Sequence, residues 1–317
     1  MKGKQIKSNK KHTDGHKVSK KLQATETGTA KWLITGILLI TVIAFSPSLK
    51  NGFVNWDDYA YVVENNIIKD LSFANIKHIF NTSTYVVGNY HPLTVLSYCF
   101  EYHFFKLEPF MYHLDNILLH LLNVFLVFRF LKLLNVKLEI AGITALLFAI
   151  HPLRVESVTW VAERKDVLYT AFFFLSLIFY MLYVKQSQKK WYNFSLVLFI
   201  FSILSKGQAV VLPMVLILVD YFTGRRFNKK VVTEKIPFFG IALFFGIIAL
   251  LAQHTSLTAT RIESHSFFER VLIAGYGIIM YLYKLVLPVK LTCFYPYPDK
   301  IDGFFYLAPI LVVLLIF

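Results

Sequence analysis

Two adjacent acidic residues follow the first long apolar segment of the chain. Trp32–Ser48 is uncharged and rich in Leu and Ile, and Asp57 and Asp58 lie in the polar segment after it. Neighbouring carboxylates repel each other, which can raise the pKa of one of them and make it a general base. Such a pair can also hold a divalent cation, although base catalysis requires none. The alternative interpretation is an acidic turn that only caps a helix.

Two cationic residues interrupt the apolar pattern further along the chain. Arg164 belongs to the charged sequence Glu163-Arg164-Lys165-Asp166, and Lys206 is a single cation between two apolar segments. Two fixed cations together with an acidic pair suit a reaction in which a phosphate group is bound and displaced. The alternative for Lys206 is a side chain that only extends its amine to the membrane surface.

Histidines recur in two proline-containing sequences and in one apolar segment. The two sequences are Asn89-Tyr90-His91-Pro92-Leu93 and His151-Pro152-Leu153-Arg154-Val155-Glu156, and the proline of the second stops a helix. Within an apolar segment, His113, Asn116 and His120 share one helical face, which must be turned away from lipid. That face is either a ladder of hydrogen bonds between helices or part of a ligand site.

The composition requires a membrane to position these groups. Of the 317 residues 56% are hydrophobic and only 16% are charged, whereas a soluble domain has about 25% charged residues. A membrane helix needs about 20 mainly apolar residues. Besides Trp32–Ser48, the candidate segments are Phe110–Phe128, Ile140–Leu153, Val167–Val184, Trp191–Ser205, Gly207–Tyr221, Ile236–Gln253 and Val271–Leu287, and Phe304–Phe317 is too short to cross. We therefore predict an all-α polytopic membrane helix bundle of about eight spans plus a truncated ninth.

The distribution of positive charge orients this bundle. The net charge is +14, but nine lysines lie among residues 1–31, which indicates a basic cytoplasmic tail and not a nucleic-acid surface. The loops Arg129–Glu139, Lys185–Lys190 and Thr223–Lys235 are also rich in Lys and Arg. The loop 50–109 is then extracytoplasmic, with membrane-surface helices in Asn66–Phe80 and a cap at Ser72. The polar motifs therefore share the outward side.

Taken together, these motifs resemble a known membrane family. Its matching pieces here are Phe53-Val54-Asn55-Trp56-Asp57-Asp58, Asn89-Tyr90-His91-Pro92-Leu93-Thr94, His113-Leu114-Asp115-Asn116, His151-Pro152-Leu153-Arg154-Val155-Glu156, Glu163-Arg164-Lys165-Asp166, Ser205-Lys206 and Phe294-Tyr295-Pro296. The sequence resembles bacterial membrane proteins that join a glycosyltransferase module to tetratricopeptide repeats. Through them it resembles the eukaryotic transmembrane-and-tetratricopeptide-repeat protein O-mannosyltransferases of the C-type glycosyltransferase superfamily. The resemblance implies a membrane module over residues 32–317, with repeats expected beyond 317.

The resemblance also implies an activity. A sugar would move, with inversion, from a polyprenyl-phosphate carrier to a hydroxyl of a protein or glycan acceptor on the extracytoplasmic face. Asp57 or Asp58 would be the general base, and Arg164 and Lys206 would stabilise the departing phosphate. The remaining residues that we assign to sugar or carrier binding are His91, His151, Glu156, Tyr90 and Asn116. No cofactor is expected. The membrane is expected to be a bacterial plasma membrane, or that of the endoplasmic reticulum if the protein is eukaryotic.

Two other functions compete with this one. A non-enzymatic membrane scaffold or assembly factor could keep the same fold without using the acidic pair. A transporter would favour polar residues at mid-membrane on several helices and an inverted repeat, whereas the polar groups here cluster at one face. The chain has no glycine-rich phosphate loop, HExxH or CxxC motif, so nucleotide, zinc-protease and redox chemistry have no support in the sequence.

Overall fold

A computed structural model describes residues 28–254, 266–296, 298 and 301–316 of the chain. These residues are mainly helical, and within the described ranges the only β-type pairing is an isolated bridge between Val86 and Asn89. The predicted all-α class is therefore confirmed. Most of the predicted basic tail, residues 1–31, lies outside the described residues.

Thirteen helices are used below, numbered in chain order. They are α1 (Gly28–Lys50, ending in the 3-10 turn Ser46–Lys50), α2 (Phe73–Ile79), α3 (Pro92–Phe105), α4 (Pro109–Leu133), α5 (Leu138–Ile150), α6 (Val155–Thr159), α7 (Arg164–Gln186), α8 (Lys189–Ser205), α9 (Leu212–Phe222), α10 (Lys229–Thr233), α11 (Ile236–His254), α12 (Phe267–Val286) and α13 (Gly303–Ile316). Short 3-10 turns connect several of them, including Val161–Glu163 before α7 and Gly207–Val211 before α9.

Among the described residues, four helical segments are long and apolar enough to cross a membrane: Gly28–Lys50, Pro109–Leu133, Val161–Gln186 and Lys229–His254. A fifth results if α5 and Pro152–Thr159, which meet at an angle of 54°, form one broken span. The chain is therefore an integral membrane protein. The larger count of about eight spans stays a prediction, because several apolar helices are shorter than a full span. The break at Pro152 leaves α5 with 13 residues, and the break at Lys206 leaves α8 with 17 and α9 with 11.

The bundle interior contains the polar stripe that the sequence places there. His113, Asn116 and His120 of α4 are all buried, as predicted. Nε2 of His120 lies 2.8 Å from the carbonyl oxygen of Ala149 in α5, and Asn123 donates to the carbonyl of Val167 in α7 at 2.8 Å. The stripe thus joins α4 to its neighbours through interhelical hydrogen bonds, and α7 packs along both α4 and α8.

The loop after α1 is built from short helices that cover the outer end of the bundle. The predicted surface segment divides into the 3-10 helix Asn66–Lys69 and α2, and Ser72 caps α2 by accepting a hydrogen bond from the Asn75 N–H, as predicted. Buried Ile68 and Ile79 anchor these pieces in a hydrophobic cluster that includes residues of α3. The loop is therefore a packed structural layer and can hold its polar residues in place.

A buried ionic cluster lies at the C-terminal end of α9, whereas Lys206 precedes its N-terminal end. Asp220 is fully buried, its two carboxylate oxygens lie 2.9 and 2.8 Å from the Tyr180 hydroxyl, which donates its one hydrogen bond to them, and it pairs with the Lys235 ammonium at 2.6 Å. Arg225 approaches the same carboxylate at 3.5 Å and pairs with Glu234 at 2.8 Å. These contacts join α7, α9 and the start of α11.

Replacing Asp220 by alanine leaves Lys235 buried without its counter-ion. We expect a loss of about 3–5 kcal/mol in the free energy of unfolding, seen as a lower melting temperature by circular dichroism of the purified protein in detergent. Arg226→Ala, which removes an exposed arginine of the same loop, is the matched control and should melt like wild type. Unchanged melting of the Asp220→Ala variant would show that the cluster does not hold these helices together.

Candidate functional site

The structure gives the two adjacent acids different environments. Asp58 is 1% exposed, and its two carboxylate oxygens accept hydrogen bonds from the backbone N–H groups of Val54 at 2.9 Å and Ala162 at 2.8 Å. Burial raises the pKa of Asp58 above its ordinary value, although both hydrogen bonds oppose the shift. Asp58 therefore fastens the loop after α1 to the segment that precedes α7.

Asp57 is the more accessible acid. Its side chain is only partly buried, and it has no hydrogen bond or ion pair with any other described residue. A carboxylate with unoccupied oxygens can accept a proton or bind a cation, whereas a cation shared with Asp58 would compete with two backbone N–H groups. Among the described residues, no group of three His, Cys, Asp or Glu side chains is placed to hold a metal ion.

A groove of about 560 Å³ lies where the first residues of α7 meet the last residues of α8, beside α11. Its lining is polar at α7 and α8 and mainly apolar along α11. The polar lining is Asn89, Tyr90, His91, Lys165, Lys206 and Gln208, and the α11 wall is Ala242, Leu243, Gly246, Ile247, Ala249, Leu250 and Gln253. Gly207 lets the backbone after Lys206 approach α11 closely, because a Cβ atom there would meet Ala249 Cβ at 3.3 Å. The groove therefore suits a ligand with an anionic head and an apolar tail.

Two lysines supply the positive charge of the groove. Lys206 pairs with Asp166 and lies 3.4 Å from Glu163, and Lys165 pairs with Glu163 at 2.7 Å and donates to the Ala162 carbonyl at 3.0 Å. Burial alone would lower the pKa of Lys206, but the two carboxylates raise it, so this ammonium stays charged. An ammonium has three N–H donors. One N–H of each ammonium is therefore left without an oxygen acceptor among the described residues, and the Lys165 ammonium also lies 5.0 Å from the centroid of the Tyr61 ring.

His91 contributes a neutral ring to the same groove. It is buried, and its Nδ1 atom has no hydrogen-bond partner among the described residues. Burial and the nearby Lys165 and Lys206 lower the pKa of His91 to about 3, so it carries no charge at neutral pH. The hydroxyl of the preceding residue, Tyr90, donates a hydrogen bond to the carbonyl oxygen of Phe80 at 3.0 Å.

Arg164 does not line the groove. Its guanidinium is 1% exposed, makes two parallel hydrogen bonds to Glu101 at 2.8 and 2.9 Å, and donates to the Tyr112 carbonyl at 2.8 Å. A further bond joins its Nε to the Asn116 side chain, which in turn donates to the Trp160 carbonyl. Arg164 and Asn116 are thus internal connectors of α3, α4 and α7.

His151 and Glu156 also lie outside the groove lining. The His151 ring accepts a hydrogen bond from the Leu153 N–H at 3.2 Å, and its Nε2 lies 3.0 Å from the carbonyl oxygen of Leu285 in α12. Glu156 is exposed on the short helix α6. The structure therefore brings together His91, Tyr90 and Lys206 of the predicted residues, and adds Lys165.

Lys165 is the groove residue that the sequence motif does not single out. Arg164 and Lys165 begin α7, and successive residues of an α-helix point about 100° apart. Only one of the two can face the groove while the other faces α3. The available signal was Glu101, an acid within the aromatic sequence of α3, which needs a buried cation as its partner.

Comparisons with known proteins agree with these motifs. Residues 105–253 match the family described as dolichyl-phosphate-mannose-protein mannosyltransferase. Protein O-mannosyl-transferase TMTC3 of Mus musculus is 32% identical over 158 residues, which cover 46% of this chain and 16% of that protein. Protein O-mannosyl-transferase F38B6.6 of Caenorhabditis elegans is 27% identical over 274 residues, which cover 81% of this chain and 38% of that protein.

The chain resembles the TMTC-type protein O-mannosyltransferases. This confirms the resemblance that the motifs predict. The matches cover less than two fifths of the length of these TMTC-type relatives. The segment 105–253 contains Lys165, Lys206 and the α11 wall of the groove, whereas Asp57 and His91 precede it. No solved structure matches the chain.

The unequal environments of the two acids predict unequal effects on stability. Asn at position 58 can accept only one of the two backbone hydrogen bonds, so Asp58→Asn should lower the free energy of unfolding by about 1–3 kcal/mol. Asp57→Asn, the matched control, should change it little, because no protein contact is lost. Both are measured by thermal unfolding of purified protein in detergent. Equal destabilisation by the two substitutions would contradict the assignment of Asp58 as the structural acid.

Proposed function

We propose that this chain is the membrane module of a glycosyltransferase that moves a sugar from a polyprenyl-phosphate carrier to an acceptor hydroxyl on the extracytoplasmic face. The names of the TMTC-type relatives support a mannosyl group and a protein acceptor. The single observation that carries the proposal is the groove beside α11. Its polar end has two lysines with an unused N–H donor each, and its wall is apolar, which matches a phosphate joined to an isoprenoid tail.

The phosphate occupies the polar end of the groove. Lys165 and Lys206 each donate one hydrogen bond to it, and Glu163 and Asp166 hold the two ammonium groups in position from behind. Charge-assisted hydrogen bonds of this kind are stronger than neutral ones. The neutral His91 ring, with its unpartnered Nδ1, accepts a hydrogen bond from a hydroxyl of the ligand. The isoprenoid tail then lies along α11.

Asp57 is the general base in this proposal. Its carboxylate takes the proton of the acceptor hydroxyl while the oxygen attacks the anomeric carbon, and the bond between that carbon and the phosphate oxygen breaks. The electron pair of the broken bond goes to the carrier phosphate, whose growing negative charge Lys165 and Lys206 stabilise. The products are the glycosylated acceptor, with inverted anomeric configuration, and polyprenyl phosphate.

Two further residues of the motifs act through others. Arg164 positions the start of α7, and with it Lys165 and Asp166, through its bonds to Glu101 and Asn116. Asp58 positions the loop that carries Asp57. His151 and Glu156 have no contact with the carrier in this arrangement.

Sugar transfer by membranes that contain the protein tests the proposal. With radiolabelled mannosyl polyprenyl phosphate and a mixture of secreted polypeptides as acceptors, Asp57→Asn and Lys206→Ala should each lower the rate about 10²–10⁴-fold. Lys190→Ala, which removes an exposed lysine that lies over Trp191, is the control at matched expression. Wild-type rates in both the Asp57 and the Lys206 variants would contradict the mechanism and favour a non-enzymatic scaffold.

Lys165 and Arg164 should be separable by experiment, although they are neighbours in the chain. Lys165→Ala removes a phosphate contact and should slow transfer about 10-fold or more, whereas its effect on the free energy of unfolding should be smaller than that of Arg164→Ala, because Lys206 still faces Glu163. Arg164→Ala leaves Glu101 buried and unpaired, so it should lower the free energy of unfolding by about 3–5 kcal/mol. The reverse pattern, a stable but inactive Arg164 variant with an active Lys165 variant, would place Arg164 in the groove.

A further inference from the structure

Three aromatic rings connect the loop of Asp57 to the lysines of the groove. The Trp56 ring lies 5.8 Å from the Trp160 ring at an angle of 42°, and 6.4 Å from the Phe294 ring at 58°. The Lys165 ammonium lies 5.8 Å from the centroid of the Trp160 ring. In this aromatic ladder, Phe294–Trp56–Trp160, the ring of Trp160 lies beside a groove cation and the middle ring, Trp56, belongs to the loop of Asp57.

Two rings of the ladder, Trp56 and Phe294, are exposed but held in place. Trp56 is 54% exposed and Phe294 is 56% exposed, whereas aromatic rings of this size normally contribute to stability by burying most of their surface. Trp56 is nevertheless restrained, because it lies between two other rings and Asp58, two residues on, is hydrogen-bonded to Ala162. An exposed ring with a restrained orientation is suited to binding a flat apolar face.

Trp160 anchors the ladder. Its indole N–H is buried and faces the Asp58 carboxylate, and its backbone carbonyl accepts a hydrogen bond from Asn116 at 3.0 Å. Trp160 therefore holds Trp56 in a fixed position next to Lys165.

We propose that the aromatic ladder binds the pyranose ring of the donor sugar, with Trp56 as the stacking residue. A pyranose has C–H groups on its faces, which suit contact with an exposed aromatic ring. The inference rests on the proposed function, because it takes the sugar phosphate to be held by Lys165 and Lys206. Lys165 is also the cation beside Trp160, the neighbour of Trp56 in the ladder.

Binding of two carriers to the purified protein tests this role. Mannosyl polyprenyl phosphate carries the sugar, and polyprenyl phosphate lacks it. Trp56→Ala should weaken binding of the mannosyl carrier about 3- to 10-fold and leave binding of the sugar-free carrier unchanged. Trp56→Phe keeps an aromatic face and should recover most of the loss. Lys206→Ala should weaken binding of both carriers, since both contain the phosphate.

The controls separate this inference from the function on which it rests. Trp32→Ala, which removes an exposed indole of α1, should bind both carriers like wild type, and unchanged binding of the sugar-free carrier shows that the Trp56 variants are folded. Equal effects of Trp56→Ala on the two carriers, or no effect on either, would overturn the ladder's role while carrier binding stands. Wild-type protein that binds neither carrier would overturn the proposed function and this inference together.

Discussion

The buried bond between Arg164 and Glu101 is the interaction on which the arrangement of the site depends. It joins the first residue of α7 to the middle of α3, and the same guanidinium also bonds to α4 through Asn116 and the Tyr112 carbonyl. Removing either partner of this buried pair is costly, because an unpaired charge in the interior is expensive. The rotation of α7 about its axis is thereby set, and Lys165 is directed toward the groove.

A second connection carries this order to the acidic loop. Asp58 accepts a hydrogen bond from Ala162, two residues before Arg164, so the segment between α6 and α7 holds the loop of Asp57 in place and leads directly into Lys165. In the groove the pairing of the charges is different. Lys165 and Lys206 face two carboxylates but keep donors unused, so they are charged, positioned and still able to bind an anion. The interior pair provides structure, and the groove pairs provide binding capacity.

Much of the architecture follows from local properties of the sequence. The helical class, the inward stripe of His113, Asn116 and His120, the Ser72 cap and the helix breaks at Pro152 and Lys206 all depend on composition, periodicity or the chemistry of one residue. Three features depend on partner residues that are distant in the sequence, so the local sequence does not predict them. The choice between Arg164 and Lys165 follows from Glu101, the different roles of Asp57 and Asp58 follow from Ala162, and the contact of His151 with Leu285 follows from the packing of α12. The number of spans stays a prediction because short helices on either side of a polar break satisfy a hydropathy pattern without each crossing the membrane.

The most direct test of the account is where a polyprenyl phosphate binds. A carrier analogue with a photoreactive group near its phosphate can be crosslinked to the protein in membranes, and the modified residues identified by mass spectrometry. We expect modification of the groove between Tyr90 and the α11 residues Gly246, Ala249 and Leu250, with competition by unlabelled polyprenyl phosphate but not by polyprenol. Competable crosslinks confined to a different cavity, such as that between Tyr276, Tyr281 and Tyr295, would contradict this site.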